Sequence, residues 1–424
     1  MAGPKPRIRR TTALISVLVI CASANSFAAG PGEIVVFNGA TLIDGNGGEP
    51  VTRAAVVIQG DRILFAGPKD EIEIPTNATI YDLRGLTILP GFFNTHVHEV
   101  SFTNGAEGVL VLSRLEAWAW EGVTTLRDVT SPRSALLRYK QAESVHSDPS
   151  LARLLMAGPC FEVPGGRAEG YNRIIIYSPE DAKAKIESLL DDGADVVKLY
   201  FEDGSIFGES WNVMTTEEAR MIVKVAHGRG KTVTVHVQEA YLVERALDAG
   251  VDDICHSQVD EPVPDHLIER MVEQGVSLVP TLEMSNTWQP ALEMSLVNLR
   301  RMVELGVDVA MGTDYSYSYE IEFEIGMPLQ EMQLLERGGM TPMQIIVAGT
   351  KNSANVCGLG HELGTLERGK VADLIVVDGD PVEDLAVLKH DLVMVVHSGV
   401  VIRDDRPEMQ SIRRGTGRRV SGDR

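Results

Sequence analysis

The chain predicts an α/β fold, a (β/α)8 TIM barrel carrying a small β-sandwich built from both the N- and C-terminal segments. Three observations point there. A helix-glycine-strand unit recurs in LLDDGADVVKLY, HGRGKTVTVHV, ALDAGVDDICHS, MVEQGVSLVPTL and MVELGVDVAMGTD, with Gly193, Gly230, Gly250, Gly275 and Gly306 at the junctions. Short alternating strands flank this block on both sides. The 424 residues exceed a barrel of about 250 and leave material for a second unit.

At the start, MAGPKPRIRR carries Lys5, Arg7, Arg9 and Arg10, and the apolar run TTALISVLVICASA is too short for a membrane span. Ser26-Phe27-Ala28 offers small residues for cleavage, so residues 1–28 read as a secretory signal peptide and the mature chain as periplasmic or secreted. Arg9-Arg10 keeps twin-arginine export open, the bulky Ile20 before Cys21 argues against a lipoprotein, and an uncleaved anchor is the alternative.

Next come EIVVFNGATLIDGNG, AAVVIQGDRILFAG and ATIYDLRG, matched near the other end by ADLIVVDGD and VMVVHSGVVIR. These are short alternating strands broken by Gly, Asn and Asp turns, which assigns 29–88 and 362–405 to the sandwich and 89–361 to the barrel. Within the barrel, LTILPGFFNTHVH, EGVTTLRDV and ARLLMAG precede the five repeating units, bringing the strand count to about eight. Glycine just past a helix end relieves its left-handed cap, and the Val- and Ile-rich runs that follow read as buried parallel strands. Strands alternating with helices imply a parallel sheet. Residues 406–424, ending SIRRGTGRRVSGDR, read as a disordered basic tail.

His96 and His98, Lys198, His236, His256 and Asp314 each end one of these apolar runs. A strand sends alternate side chains to opposite faces, so the H-x-H spacing turns both imidazoles the same way. Imidazole nitrogen suits zinc and its neighbours, and a carboxylate can complete an open catalytic site. In a parallel barrel all six residues fall at the carboxyl ends of strands one, four, five, six and eight, where active sites of that fold lie. Lys198 sits among Val196, Val197 and Leu199, where a charged ammonium is costly and the neutral amine, which can add carbon dioxide, is favoured.

This set resembles the amidohydrolase superfamily of metal-dependent hydrolases: H-x-H on strand one, a lysine on strand four, single histidines on five and six, an aspartate on eight. GVTTLRDV, VPTLE and GTLERGKVADLIVVDGDP are similar to its imidazolonepropionase and prolidase-like branch, and the resemblance covers roughly residues 34–402. It implies two divalent ions, zinc first with manganese, iron or cobalt as alternatives. One is held by His96, His98 and Asp314 and the other by His236 and His256, bridged by hydroxide and by Lys198 as its carbon dioxide adduct, a carbamate. Asp314 would then act as general base and acid. The implied reaction is hydrolysis of an amide-type C-N bond in a dipeptide, an Xaa-Pro or an N-acyl amino acid.

Substrate contacts are less direct. VPGGRAEG places Arg167 where prolidase-like relatives carry a histidine, as a carboxylate-binding guanidinium or a solvated loop arginine. Tyr200 follows Lys198 by two and faces the same way; Tyr241 lies just beyond strand five. His236-Val-Gln-Glu239 also fits the H-x-x-E spacing of mononuclear deaminases, so deamination or cyclic amide or imide opening is the alternative, opposed by Lys198. A barrel without chemistry is the third reading.

Removing the four signal cations takes the formal charge from −21 to about −25, which excludes nucleic acid as a partner and leaves small-molecule substrates, with a homo-oligomer compatible. Three cysteines then remain, Cys160, Cys255 and Cys357, an odd count that is not a disulfide framework. Cys255 is expected to pack against the helices, Asp128 to pair with its neighbour Arg127, and His146, His227, His266, His361, His390 and His397 to be surface or capping residues.

Overall fold

The computed structural model describes residues 32–100, 108–167, 172–287, 289–316 and 324–406. The signal peptide and all but the first residue of the basic tail lie outside them. Among the described residues no helix is long and apolar enough to cross a membrane.

The first five strands are β1 Ile34–Leu42, β2 Val51–Gln59, β3 Arg62–Pro68, β4 Thr79–Asp82 and β5 Thr87–Pro90. Then follow β6 Phe92–His98, β7 Val123–Asp128, β8 Arg153–Met156, β9 Cys160–Glu162, β10 Arg173–Ile175, β11 Val196–Phe201, β12 Thr232–Val237, β13 Asp253–Cys255, β14 Ser277–Val279 and β15 Tyr315–Ser316. The last three are β16 Leu374–Val377, β17 Leu392–His397 and β18 Val400–Asp404.

The flanking segments meet in one eight-stranded sheet ordered β18-β17-β16-β5-β1-β2-β3, with β4 on β1. β5 is its seam, running parallel to β1 and antiparallel to β16, so the two ends of the chain share a core that includes Phe37, Val56, Ile58, Ile88, Leu374 and Met394. The run LTILPGFFNTHVH therefore splits: β5 belongs to this sheet and β6 to the central unit, with Gly91 between them. A side chain at Gly91 would collide with Thr124.

The centre is TIM-barrel-like α/β. Two all-parallel sheets, β15-β6-β7-β8 and β10-β9-β11-β12-β13-β14, approach along both edges. Asp195 N donates to Met156 O at 2.9 Å on one side. On the other, residues 308–314 bridge β14 and β6 through Leu278 N to Asp308 O (2.9 Å), Ala310 N to Leu278 O (2.8 Å), Thr95 N to Met311 O (2.8 Å) and Asp314 N to His96 O (2.9 Å). β9 and β10 form an extra pair beside β11 that the strand count did not include.

Amphipathic helices cover the outer face and bury Ile186, Leu189, Ile222, Leu242, Ile268 and Leu299 against the strands. Their ends follow the sequence signals: Gly250 and Gly275 end two helices at φ 84° and 69°, and Thr215 with Glu218 forms a capping box at the start of Thr216–Gly228.

The inner face corrects two expectations. Paired residues in parallel neighbours share a face, and the register aligns Tyr200 with His236, His236 with Cys255, and Cys255 with Val279. Cys255 thus points inward with Phe93, Val279 and Ala310, its Sγ 2.8 Å from Thr234 Oγ1, not against the outer helices. The cause is His256, whose φ of 71° departs from strand alternation and lets both neighbours face inward. Arg127 likewise does not pair with Asp128. Adjacent strand residues point oppositely, and Arg127 reaches across the interior to a fully buried bidentate pair with Asp253 at 2.8 and 2.8 Å. His397 is not a surface residue either: it is buried, with Nδ1 2.8 Å from Pro149 O.

Candidate active site

The ends of β6, β11, β12 and β13 and the segment before β15 bring all six predicted residues together. His96 Nε2 and His98 Nε2 stand 3.3 and 3.0 Å from Asp314 Oδ1, and these three form a compact donor group whose atoms lie within 4.8 Å of one another. The His256 ring lies 4.8 Å from His96 and 4.3 Å from His236, centroid to centroid. Lys198, paired in register with Thr234 one step below His236, is buried close enough to influence the proton affinity of His96, His236, His256 and Asp314.

Burial holds the protons of His96, His236 and His256 well below the usual imidazole range, leaving neutral rings, the form in which imidazole binds metal. Asp314 is pulled the other way. Burial alone would raise it, but His98 and the surrounding positive groups outweigh that and keep it ionised.

The backbone is set for this geometry at some cost. His256, Thr281 and Asp314 take left-handed conformations, with φ of 71°, 50° and 61°, which for non-glycine residues costs about 1–3 kcal/mol each. Thr281 recovers part of it: its Oγ1 lies 2.8 Å from His256 Nδ1, fixing the ring so that Nε2 is left for a ligand. Asn94 plays a similar part under His96, donating from Nδ2 to Thr313 Oγ1 (2.8 Å) and accepting from Thr313 N (3.2 Å), next to Asp314. Neither Thr281 nor Asn94 carries a sequence signal beyond lying one or two residues from a strand end or a ligand position.

The proposed substrate residues lie on one side of this cluster. Tyr200 stacks on His236 at 4.1 Å and 12°, and its hydroxyl accepts from Arg167 Nη1 at 3.0 Å. Arg167 also pairs with Glu202 and lies over the rings of Phe207 (5.0 Å) and Trp211 (5.8 Å). Tyr241, further out and half exposed, donates to Asp203 Oδ2 at 2.6 Å.

Sequence reasoning missed Glu202, Glu162 and Asp203, and singled out Glu239 only for its spacing from His236. Glu202, one alternation beyond Tyr200, is buried with Oε2 2.9 Å from His236 Nε2, although the two are not aligned as a hydrogen bond. Glu162 at the end of β9 is covered by the turn at Gly166, where a Cβ would collide with its carboxyl group. Burial pushes Glu162 up to about 8. Burial, then the charges of Glu202 and Asp203, brings Glu239 to about 8. Asp203 goes the other way, down to about 2, because hydrogen bonds from Ser205 and Tyr241 outweigh its burial. Asp128, freed from the expected arginine, accepts from Val100 N (2.8 Å) and Thr130 N (3.2 Å), and burial lifts it to about 7.

Comparison with known proteins agrees with this architecture. The chain is similar to ochratoxinase from Aspergillus niger (25% identity over 415 residues, 84% of each chain) and to imidazolonepropionase from Symbiobacterium thermophilum (27% over 409 residues, 82% of this chain and 89% of that one). Among solved structures, a Xaa-Pro dipeptidase with bound methionine in its active site aligns at TM-score 0.73 and 24% identity, over 88% of this chain and all of that one, a likeness of fold. The model of the amidohydrolase family matches residues 87–402, and the chain belongs to that family of hydrolases acting on amide-type C-N bonds.

Proposed function

We propose that this protein hydrolyses an amide bond of a dipeptide, an Xaa-Pro or an N-acyl amino acid at a centre of two divalent metal ions, zinc first among them. In this reading His96, His98 and Asp314 hold one ion, His236 and His256 the other, and a carbamylated Lys198 both, at the mouth of a closed (β/α)8 barrel. The observation that carries it is Lys198 Nζ, buried in the midst of the donor set with no hydrogen-bond partner among the described residues. A buried ammonium without acceptors costs several kcal/mol. Addition of carbon dioxide forms an N-C bond, releases a proton and turns the same side chain into a carboxylate matched to cations.

His96 Nδ1 too has no hydrogen-bond partner among the described residues, and Asp314 Oδ1 faces both His96 and His98, so the donor set fits such ions. Divalent ions held by these residues would supply a water of lowered pKa and polarisation of the substrate carbonyl. Asp314 then takes the proton of the attacking water and delivers it to the leaving nitrogen, a role for which its hold on ionisation at neutral pH suits it. The stacked Tyr200 and His236 form one wall of the substrate cleft.

The test is a hydrolysis screen of dipeptides, Xaa-Pro and N-acyl amino acids with zinc or manganese supplied. Lys198→Ala lowers kcat by at least about 100-fold, and a small carboxylate such as formate restores part of it. Full activity in that variant refutes the carbamate. A second reading, loss of ammonia from an aminated ring at a single ion, draws on Glu239, buried three positions after His236; ammonia release without amide cleavage selects it.

A further inference from the structure

β14 ends at Val279, and the chain turns at Thr281 straight into the short helix Leu282–Ser285. A threonine at such a start ordinarily turns its hydroxyl back to accept from the first free N-H groups of its own helix. Thr281 does not. It makes no such bond, sits at φ 50°, and places its Oγ1 2.8 Å from His256 Nδ1 instead. For a β-branched residue a positive φ is a rare conformation that persists only where the surroundings fix it.

What fixes it comes from a distant part of the chain. Glu331, in the first turn of the helix Leu329–Arg337 and 0% exposed, accepts from Leu282 N at Oε1 (2.9 Å) and from Glu283 N at Oε2 (2.7 Å). Glu283 returns the bond, its Oε1 accepting from Glu331 N at 3.0 Å. One carboxyl group therefore satisfies the N-H groups that Thr281 leaves open, and the two segments lock each other in place. Burial, then the charge of Glu283, pushes Glu331 well above the usual carboxyl range, and a protonated carboxyl group still accepts at its oxygens. The backbone of His256 is tied to the same turn: His256 N donates to Val279 O at 2.8 Å and Ser257 N to Pro280 O at 3.0 Å. Asp314 is near enough for its charge to act on Glu331, which sets this clamp beside the donor set.

We propose that Glu331 is a positioning residue of the metal centre: by taking over the capping of Leu282–Ser285 it releases the Thr281 hydroxyl to orient His256. The inference rests on the metal-centre reading and deepens it. Without Glu331, Thr281 turns back onto the N-H groups of its own helix, His256 Nδ1 loses its partner, and the ring is no longer held toward an ion. A helix-end contact with a purely structural role would change stability and leave His256 as it is.

Chelator titration of the cobalt(II)-loaded full-length protein, read by visible absorption, decides the matter. Glu331→Gln puts an amide NH2 where one acceptor stood, and cobalt affinity falls about ten-fold or more, the scale of losing a partner that orients a ligand. Thr281→Val does the same. The double variant holds cobalt within about two-fold of the weaker single one, because both substitutions act on His256 through one hydroxyl. Leu335→Ala, in the same helix and 0% exposed, lowers the urea midpoint and leaves cobalt affinity within about two-fold of the parent. Should Glu331→Gln not fold, Glu283→Ala removes only the bond from Glu331 N and is read against Thr281→Val in the same way, with a loss of about three-fold or more. Cobalt affinity equal to the parent's in the glutamate variants, losses that multiply in the double variant, or an equal loss in Leu335→Ala overturns the proposal. Cobalt binding needs no turnover, so such a result leaves the proposed reaction standing, and Glu331-dependent binding without amide cleavage sinks only the reaction.

Discussion

Replacing Asp253 by Ala strands a guanidinium inside the protein. Arg127 is fully buried and donates from Nε to Thr95 O (2.6 Å), from Nη1 to Asp253 Oδ2 (2.8 Å) and Val356 O (3.1 Å), and from Nη2 to Asp253 Oδ1 (2.8 Å). The substitution leaves only the two carbonyl acceptors and no countercharge. Breaking one side of such a pair costs about 3–5 kcal/mol. In a protein of this size that lowers Tm by about 4–6 °C, read by scanning calorimetry and by the urea midpoint. Removing both charges, in Arg127→Met with Asp253→Leu, costs less than Asp253→Ala alone, because the stranded charge is gone. Arg127 also holds the carbonyl of Thr95, next to His96, so kcat falls in the single variant. A loss below about 1 kcal/mol in Asp253→Ala, or a double variant as damaged as the sum of the singles, refutes the view that this pair anchors the interior.

Further outcomes follow from the same geometry. Thr281→Val removes the partner of His256 Nδ1, and chelator-driven metal loss becomes about 10–100-fold easier; retention equal to the parent contradicts the orienting role. In the metal-free protein Glu162 contributes a loss of stability as pH rises from about 5 to above 8. Glu162, with a folded value near 8 against about 4.5 unfolded, keeps its proton in the native state while the unfolded chain ionises. Its contribution is complete below the unfolded value and gone above the folded one. Glu162→Gln flattens the decline in urea midpoint, and an unchanged slope rejects the assignment. Arg167→Met frees Glu202 and raises KM more than it lowers kcat; an equal fall in kcat places Arg167 nearer the reacting atoms than its contacts with Tyr200 and Glu202 indicate.

Strand-end positions were legible because parallel strands alternate simply and the candidate ligands close each run. His96 and His98, two apart, and Lys198 with Tyr200, two apart, needed only a period of two. The same period extends to Glu202, and reading one step further would have found that carboxyl group beside His236. Alternation misled where the backbone leaves it. Cys255 was sent to the outer face because His256 was assumed to obey the strand pattern, and a φ of 71° cannot be seen in the letters DICHS. Arg127 beside Asp128 shows a related limit: chain neighbours are the least suitable strand partners, and the true partner, Asp253, is 126 residues away. Thr281 and Asn94 stayed hidden because a residue orienting a ligand has no spacing rule of its own.

The central claim is a pair of ions bridged through a modified Lys198. Its most direct test is metal analysis of the purified protein together with carbon NMR after exchange into 13C-bicarbonate. The account predicts two divalent ions per chain and a labelled carbamate signal that vanishes, along with metal, in Lys198→Ala. One ion per chain and no labelled signal in the active parent protein contradict it.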